Sequence, residues 1–385
     1  MKQLGCFILM LFAEIYSLLI NHSNSLEKST TNKKDKCYVL ALEGGGDKGA
    51  YQSGALKGLV DSVPNKEVEW DVVTGVSVGA LDAIAISVFD KGKESEAVEF
   101  LVQQWKDIKG KGDIYQSWWG GYIEGIFFKS GLYDTSPVKN KVSEIIKDKS
   151  IKRKFVCGAT NFYTGVFETF DDKKLKKDEY VQAVTASGAY PVVFPVVDFR
   201  GSTYIDGGVK INLDIASGIN KCLDMGYDDE KIVVDVVMMN SSILPEISSP
   251  IHPIGVLIRY NQISAYDNSM KDLEFTVMSF PSVNFRYLVA PTKKLPSGSI
   301  PLKFSPEQIE QMIQMGIEDA INVVSNGEKN NFTNILLEIK EKKRKLYGRK
   351  ETKPLVENHQ TLEEDKESLG KKQEKNLKFL EYFSN

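Results

Sequence analysis

Two apolar runs, each stopped by glycine and each followed by a helix-spaced segment, restrict what this 385-residue chain can fold into. Residues 36–42 (KCYVLAL) are short, apolar and bounded by charge and glycine, as a strand buried on both faces requires. Beyond the glycines, residues 50–63 place Leu56, Leu59 and Val60 at helical spacing. A second apolar run, residues 70–74, leads into Gly75-Val76-Ser77-Val78-Gly79 and an apolar helix through Phe89. Strand–helix–strand–helix with short links predicts parallel strands and a right-handed crossover. Further strands are predicted at residues 154–159, 166–170, 196–199, 203–205 and 232–239, and helices at 178–187, 215–225 and 253–266. Another helix starts at Ser305, where Ser305, Pro306 and Gln308 spell a capping box. The alternation predicts an α/β class, with three layers and helices on both faces of a mainly parallel central sheet.

Three short segments carry the chemistry. Glu43-Gly44-Gly45-Gly46-Asp47-Lys48-Gly49 follows the first strand and opens a helix, where free N–H groups favour negative charge. Gly44, Gly46 and Gly49 fit a dinucleotide fingerprint, but that reading needs an acidic residue at the far end of the second strand. Asp71 sits at the near end, and the far end carries Ser77. Ser77, between Gly75 and Gly79 on a strand-to-helix turn, fits a nucleophile elbow; the plainer reading is a helix-capping serine. Tyr204-Ile205-Asp206-Gly207-Gly208 closes a strand with a carboxylate, as a turn aspartate also does.

The histidine census bears on what activates Ser77. Of three histidines, His22 lies near the N-terminus and His359 in a charged tail. Only His252 is placed to complete a Ser–His–Asp triad, in the chain order Ser77, Asp206, His252. It lies in a proline-flanked loop, Ser249-Pro250-Ile251-His252-Pro253, and only one strand–helix unit precedes Ser77. Both facts count against His252 as a triad member.

GGGDKG, GVSVG and DGG in this order resemble the patatin-like phospholipase family. Residues 186–195 (ASGAYPVVFP) are similar to the family's segment before its catalytic aspartate, and Ala159-Thr160-Asn161 to a family strand. The resemblance covers residues 37–240 and implies a patatin-like fold with a serine–aspartate dyad, Ser77 and Asp206. It implies a serine esterase that hydrolyses fatty-acyl esters of phospholipids or related lipids at a membrane or micelle surface. An oxyanion hole would come from the N–H groups of Gly44, Gly45, Gly46 and Val78. Lys48, Gly49, Gly75, Gly79, Gly207 and Gly208 complete the motifs. No metal or cofactor is called for. Lys48 either faces a phosphate, orients the glycine loop or is a surface lysine. Asn212, followed by Leu213-Asp214 rather than proline, departs from the family pattern. Acyl transfer to an alcohol, or a storage or defence lipid-binding protein with little turnover, are the alternatives.

The remaining features set the boundaries. Residues 1–25 read as a secretory signal, an apolar stretch from Leu4 to Ile20 followed by polar residues; an uncleaved anchor or an amphipathic helix competes, because Glu14 interrupts it. Residues 26–36 form a polar linker, 37–337 the catalytic domain and 338–385 a Lys/Glu-rich tail. Secretion, or anchoring to a membrane, is the expected location. A net charge of −3 gives no general attraction to nucleic acid. Cys37, Cys157 and Cys222 have no disulfide or zinc spacing, and Cys37 and Cys157 read as buried thiols. The aromatic run from Trp118 through Phe128 reads as an acyl groove, a lid at a lipid surface or ordinary core.

Overall fold

A computed structural model describes residues 36–64, 67–240, 253–298 and 302–327, with positions 332, 336, 337 and 341. The segments expected to hold the signal, the linker up to residue 35 and nearly all of the charged tail lie outside these. The chain divides into units Met1–Leu336 and Leu337–Asn385, and every element below belongs to the first.

The two apolar runs form β1 (Cys37–Leu42) with α1 (Gly49–Ser62), and β2 (Val72–Val76) with α2 (Val78–Ser87). An excursion follows through α3 (Glu94–Lys106), β3 (Gln116–Ser117), α4 (Gly121–Phe128), β4 (Tyr133–Asp134) and α5 (Ser136–Ile146). The chain re-enters the sheet as β5 (Lys154–Asn161) and β6 (Phe167–Asp171), then runs through α6 (Tyr180–Ser187), β7 (Val197–Phe199) and β8 (Ser202–Asp206). It ends with α7 (Ile215–Asp224), β9 (Ile232–Val237), α8 (Pro253–Ser279), β10 (Asn284–Val289) and α9 (Pro306–Ser325).

The eight-stranded sheet has the order β10-β9-β1-β2-β5-β8-β7, with β6 also paired to β5. The strands β10 to β5 are mutually parallel, and β6, β8 and β7 join antiparallel. Ala159 of β5 pairs with both Glu168 of β6 and Asp206 of β8, so these two strands flank opposite edges of β5. Gly158 pairs with both Val76 of β2 and Thr169 of β6. β8 therefore takes up the edge of β5 at the point where β2 stops.

Alternation along β1 divides the core into two layers. Leu40 and Leu42 belong to the large apolar cluster with Tyr51, Leu56, Ile84, Leu101 and Ile313 from the helices on that face. The opposite face meets α7, where Gly218 lies so close to Val39 and Thr74 that a β-carbon would stand 2.4 Å from a Val39 methyl. The sheet is thus covered on both sides, as its apolar strands require.

The structure departs from expectation at several elements. The helix expected at 253–266 continues to Ser279. β10 was not anticipated, because Arg286 interrupts its apolar pattern; Arg286 Nε donates to Asp235 Oδ1 of neighbouring β9 at 2.9 Å. The Ser305 cap is present: its Oγ accepts from Gln308 N at 3.4 Å. The Gln308 side chain takes the Ser305 hydroxyl at 2.8 Å, rather than the backbone N–H of a full capping box. Cys37 is not a free thiol. It forms a disulfide with Cys222, 185 residues away, joining β1 to α7; no spacing rule sees a pair made by packing a helix on a strand. Cys157 is a buried thiol as expected, its pKa pushed up by burial.

Candidate active site

Ser77 ends β2 and opens α2 with φ 55° and ψ −125°, a conformation costly for a residue with a side chain. The turn is tight enough to exclude side chains on both sides. A β-carbon on Gly75 would stand 2.1 Å from Gly79 O, and one on Gly79 would stand 2.4 Å from Leu42 O. Small residues there let the strand reverse into the helix, which lifts Ser77 clear of the sheet. Its backbone N–H donates to Ser187 Oγ at 2.9 Å, and that hydroxyl donates to Gly158 O at 2.7 Å.

Asp206 arrives from the opposite direction on β8. Val76 pairs with Gly158 and Asp206 with Ala159, so the two strand ends meet at consecutive residues of β5. Ser77 Oγ donates to Asp206 Oδ2 at 2.6 Å, and Gly208 N donates to Oδ1 at 2.7 Å. Asp206 is 4% exposed. Burial pushes its pKa up to about 6, against the lowering by its bonds from Ser77 and Gly208.

The glycine loop lies beside this pair. A β-carbon on Gly44 would stand 3.1 Å from Ser77 Cβ. The Gly44 N–H donates to the Asn212 carbonyl at 3.0 Å. That corrects the expected four-donor set: Gly44 positions the loop, and the N–H groups of Gly45, Gly46 and Val78 remain the candidate oxyanion donors. Gly46 and Val78 line the same cavity as Ser77.

Residues 40–218 match the family described as Patatin-like phospholipase. They form a patatin-like phospholipase domain. The cGAMP-activated phospholipase of Escherichia coli (strain TW11681) is 25% identical over 229 residues, 54% of this chain and 62% of that protein. The chain thus spans less than two thirds of that relative's length. Among solved structures, VipD from Legionella pneumophila is 12% identical with a TM-score of 0.36, covering 76% of this chain and 67% of its own. The ExoU–SpcU complex of Pseudomonas aeruginosa gives 14% and 0.31, covering 63% and 52%. Likenesses this distant carry no argument here.

Within the patatin-like domain, the residues that hold the loop were largely missed from sequence. Glu43 is fully buried and accepts from Asn240 N at 3.0 Å, Asn240 Nδ2 at 2.8 Å, Met239 N and Ser269 Oγ. Asn212 Nδ2 bridges Glu43 Oε1 at 3.3 Å and Gly44 O at 3.2 Å. Its backbone N–H donates to Asp272 Oδ2 on α8 at 2.9 Å. Asn212 thus ties Asp206's loop to the glycine loop through its side chain and its backbone, and Leu213, standing where proline was expected, adds its own N–H to Asp272 Oδ2 at 3.2 Å. The only sequence signal for Glu43 was a carboxylate at the end of an apolar strand, which demands buried partners.

Lys48 is not a surface lysine. Its Nζ donates to Asn240 Oδ1 at 3.1 Å, and burial lowers its pKa despite the nearby Glu43 and Asp47. It braces the loop against the segment after β9. Asp47 is buried too, and accepts from Ser297 Oγ at 2.6 Å and Lys303 N at 3.0 Å. All three histidines, His252 included, lie outside the described residues.

An apolar cavity of about 110 Å³ runs from Ser77 between α2, α3, α5 and α6. Leu81, Ala85, Leu101, Val142, Phe194 and Phe304 are among its lining residues. Asp82 also lines it; burial raises its pKa well above the carboxylate range, and Trp105 Nε1 donates to it at 2.9 Å.

Proposed function

We propose that the protein is a lipid acyl hydrolase. Ser77 Oγ attacks a fatty-acyl ester carbonyl while Asp206 accepts its proton. The N–H groups of Gly45, Gly46 and Val78 hold the tetrahedral oxyanion, and the acyl chain lies in the cavity behind Ser77. As the intermediate collapses to the acyl-serine, Asp206 passes the proton to the departing alcohol oxygen. It then takes a proton from water, whose oxygen attacks the acyl-serine, and returns that proton to Ser77 Oγ as the fatty acid leaves. The observation carrying this reading is the 2.6 Å bond between Ser77 Oγ and Asp206 Oδ2 inside a buried site. A base at about 6 stays ionised at neutral pH and is stronger than an ordinary carboxylate, which narrows its mismatch with a serine hydroxyl. Phospholipid is favoured among lipids by the domain's family and by the name of its E. coli relative.

The test is covalent labelling by a fluorophosphonate together with release of fatty acid from a panel of phospholipids and lysophospholipids. Both should vanish in Ser77→Ala. Unchanged release would remove the reading, and loss of activity in His252→Ala would replace Asp206 by a triad.

Residues 1–25 are proposed as a secretory signal. The Cys37–Cys222 bridge supports passage through an oxidising compartment. Sequencing the mature N-terminus tests this: a protein beginning at Met1 would refute cleavage.

A further inference from the structure

The segment from Trp118 to Gly131 is the most apolar exposed part of the described surface. Trp119 is 103% exposed, Ile123 68%, Phe127 73% and Phe128 79%; Tyr122 and Ile126 are more than half exposed. With roughly 150–250 Å² for each of the four aromatic side chains, scaled by exposure, and the two isoleucines added, these six present on the order of 800 Å² of mainly apolar surface. The largest apolar patch of a monomer is about 300–600 Å². Ordinary core packing, one of the three expectations for this run, is therefore excluded.

The exposure belongs to a built element rather than a frayed loop. β3 and β4, which flank it in the chain, pair with each other. Trp118 Nε1 donates to Gly131 O at 3.0 Å, Gly120 N to Glu124 Oε2 at 2.8 Å, and the Tyr122 and Tyr133 hydroxyls are 3.1 Å apart. The element is also fixed to the rim of the cavity. Leu132 N donates to Val192 O and Tyr133 N to Val193 O, both at 3.0 Å. Gly131 packs on the backbone of Phe194 and Pro195, which line the cavity. Val192, beside the rim, is itself 72% exposed.

We propose that the Trp119–Phe128 element is a docking surface that inserts into the interfacial layer of a neutral phospholipid bilayer and holds the mouth of the Ser77 cavity against it. This deepens the lipid hydrolase reading and rests on it for the role of the cavity. A tryptophan just before α4, and tyrosine and phenylalanine on it, suit the boundary between head groups and acyl chains. The only charged side chains from Trp118 to Gly131 are Glu124 and Lys129, which pair at 3.4 Å, and Lys129 also sits 4.8 Å over the Trp118 ring. With no net charge, insertion depends on apolar contact rather than on anionic lipid. Among the described residues no helix is long and apolar enough to cross a membrane, so this element docks rather than spans.

The experiment uses the full chain with phosphatidylcholine vesicles, reading co-sedimentation and the blue shift of tryptophan emission. The triple variant Trp119→Ser/Phe127→Ser/Phe128→Ser should bind at least about a hundredfold more weakly. Its turnover of a soluble short-chain ester should match the unchanged protein, which also shows that it folds. Ser77→Ala should bind vesicles as the unchanged protein does, and binding should change little between 0.1 and 1 M salt. Equal vesicle binding by the triple variant would overturn the proposal. So would binding that needs phosphatidylserine and disappears at high salt, or a lipid-free dimer that the triple variant breaks while vesicle binding is absent. If the unchanged protein docks but turns over no ester, the hydrolase reading fails and the docking surface stands.

Discussion

Val76 and Asp206 face consecutive residues of β5, Gly158 and Ala159, and this head-on meeting of two strand ends brings Ser77 Oγ to 2.6 Å from Asp206 Oδ2. Residues 129 positions apart are joined by the register of a third strand. The pair therefore depends on β5 as much as on the motifs that contain it.

Asp206→Asn should abolish ester turnover, because an amide cannot accept the serine proton. In the unchanged protein kcat/KM should rise with pH and level off above an apparent pKa of about 6, since the base must be ionised. A flat profile from pH 4.5 to 7 would exclude Asp206 as the base.

The same burial sets the sign of a stability effect. The folded pKa of Asp206 lies above its ordinary value, so its contribution is fully present below about 4 and is lost as pH rises through about 6. Asp206→Asn removes that loss. Its stability advantage over the unchanged protein should grow by up to roughly 3 kcal/mol between pH 4 and pH 7. Denaturant unfolding at the two pH values measures it.

Ser77 is held at φ 55°, so Ser77→Gly and Ser77→Ala, both inactive, should differ in stability. Glycine adopts this backbone without strain, and its variant should be the more stable by about 1 kcal/mol. Equal melting temperatures would mean the elbow stores no strain.

Glu43→Gln replaces an acceptor-only side chain with one that turns an NH2 toward Asn240 N or Asn212 Nδ2, both donors. The variant should lose about 1–3 kcal/mol of stability and a large part of kcat while keeping KM nearly unchanged. Circular dichroism and steady-state kinetics separate a misplaced loop from an unfolded chain.

Ala85→Leu narrows the cavity beyond Ser77. Turnover of long-chain lipids should fall at least about tenfold, while short-chain esters retain their rate, because one or two methylenes in a packed pocket are worth about 1–3 kcal/mol. A parallel fall for both chain lengths would place the acyl chain elsewhere.

Local order left clear marks in the chain. The parallel strands, the elbow around Ser77, the DGG turn and the capped helix at Ser305 were legible because strand burial, tight turns and helix starts depend on residues within a few positions of each other. Glu43, Asn212, Lys48 and the Cys37–Cys222 bridge were misread or missed. Each acts through a partner far away in sequence, where only a polar or thiol group without local reason to be buried hinted at a role. The aromatic run around α4 left three readings open, since a sequence of apolar residues states that they prefer to leave water but not what covers them. The sequence by itself determined which residues could react and the class of sheet that would carry them. Tertiary structure alone decided that β8 would enter where β2 ends, that Gly44's N–H would be taken by Asn212, and that the aromatics of α4 would face outward. Those outcomes depend on register and packing between distant segments, which no local pattern encodes.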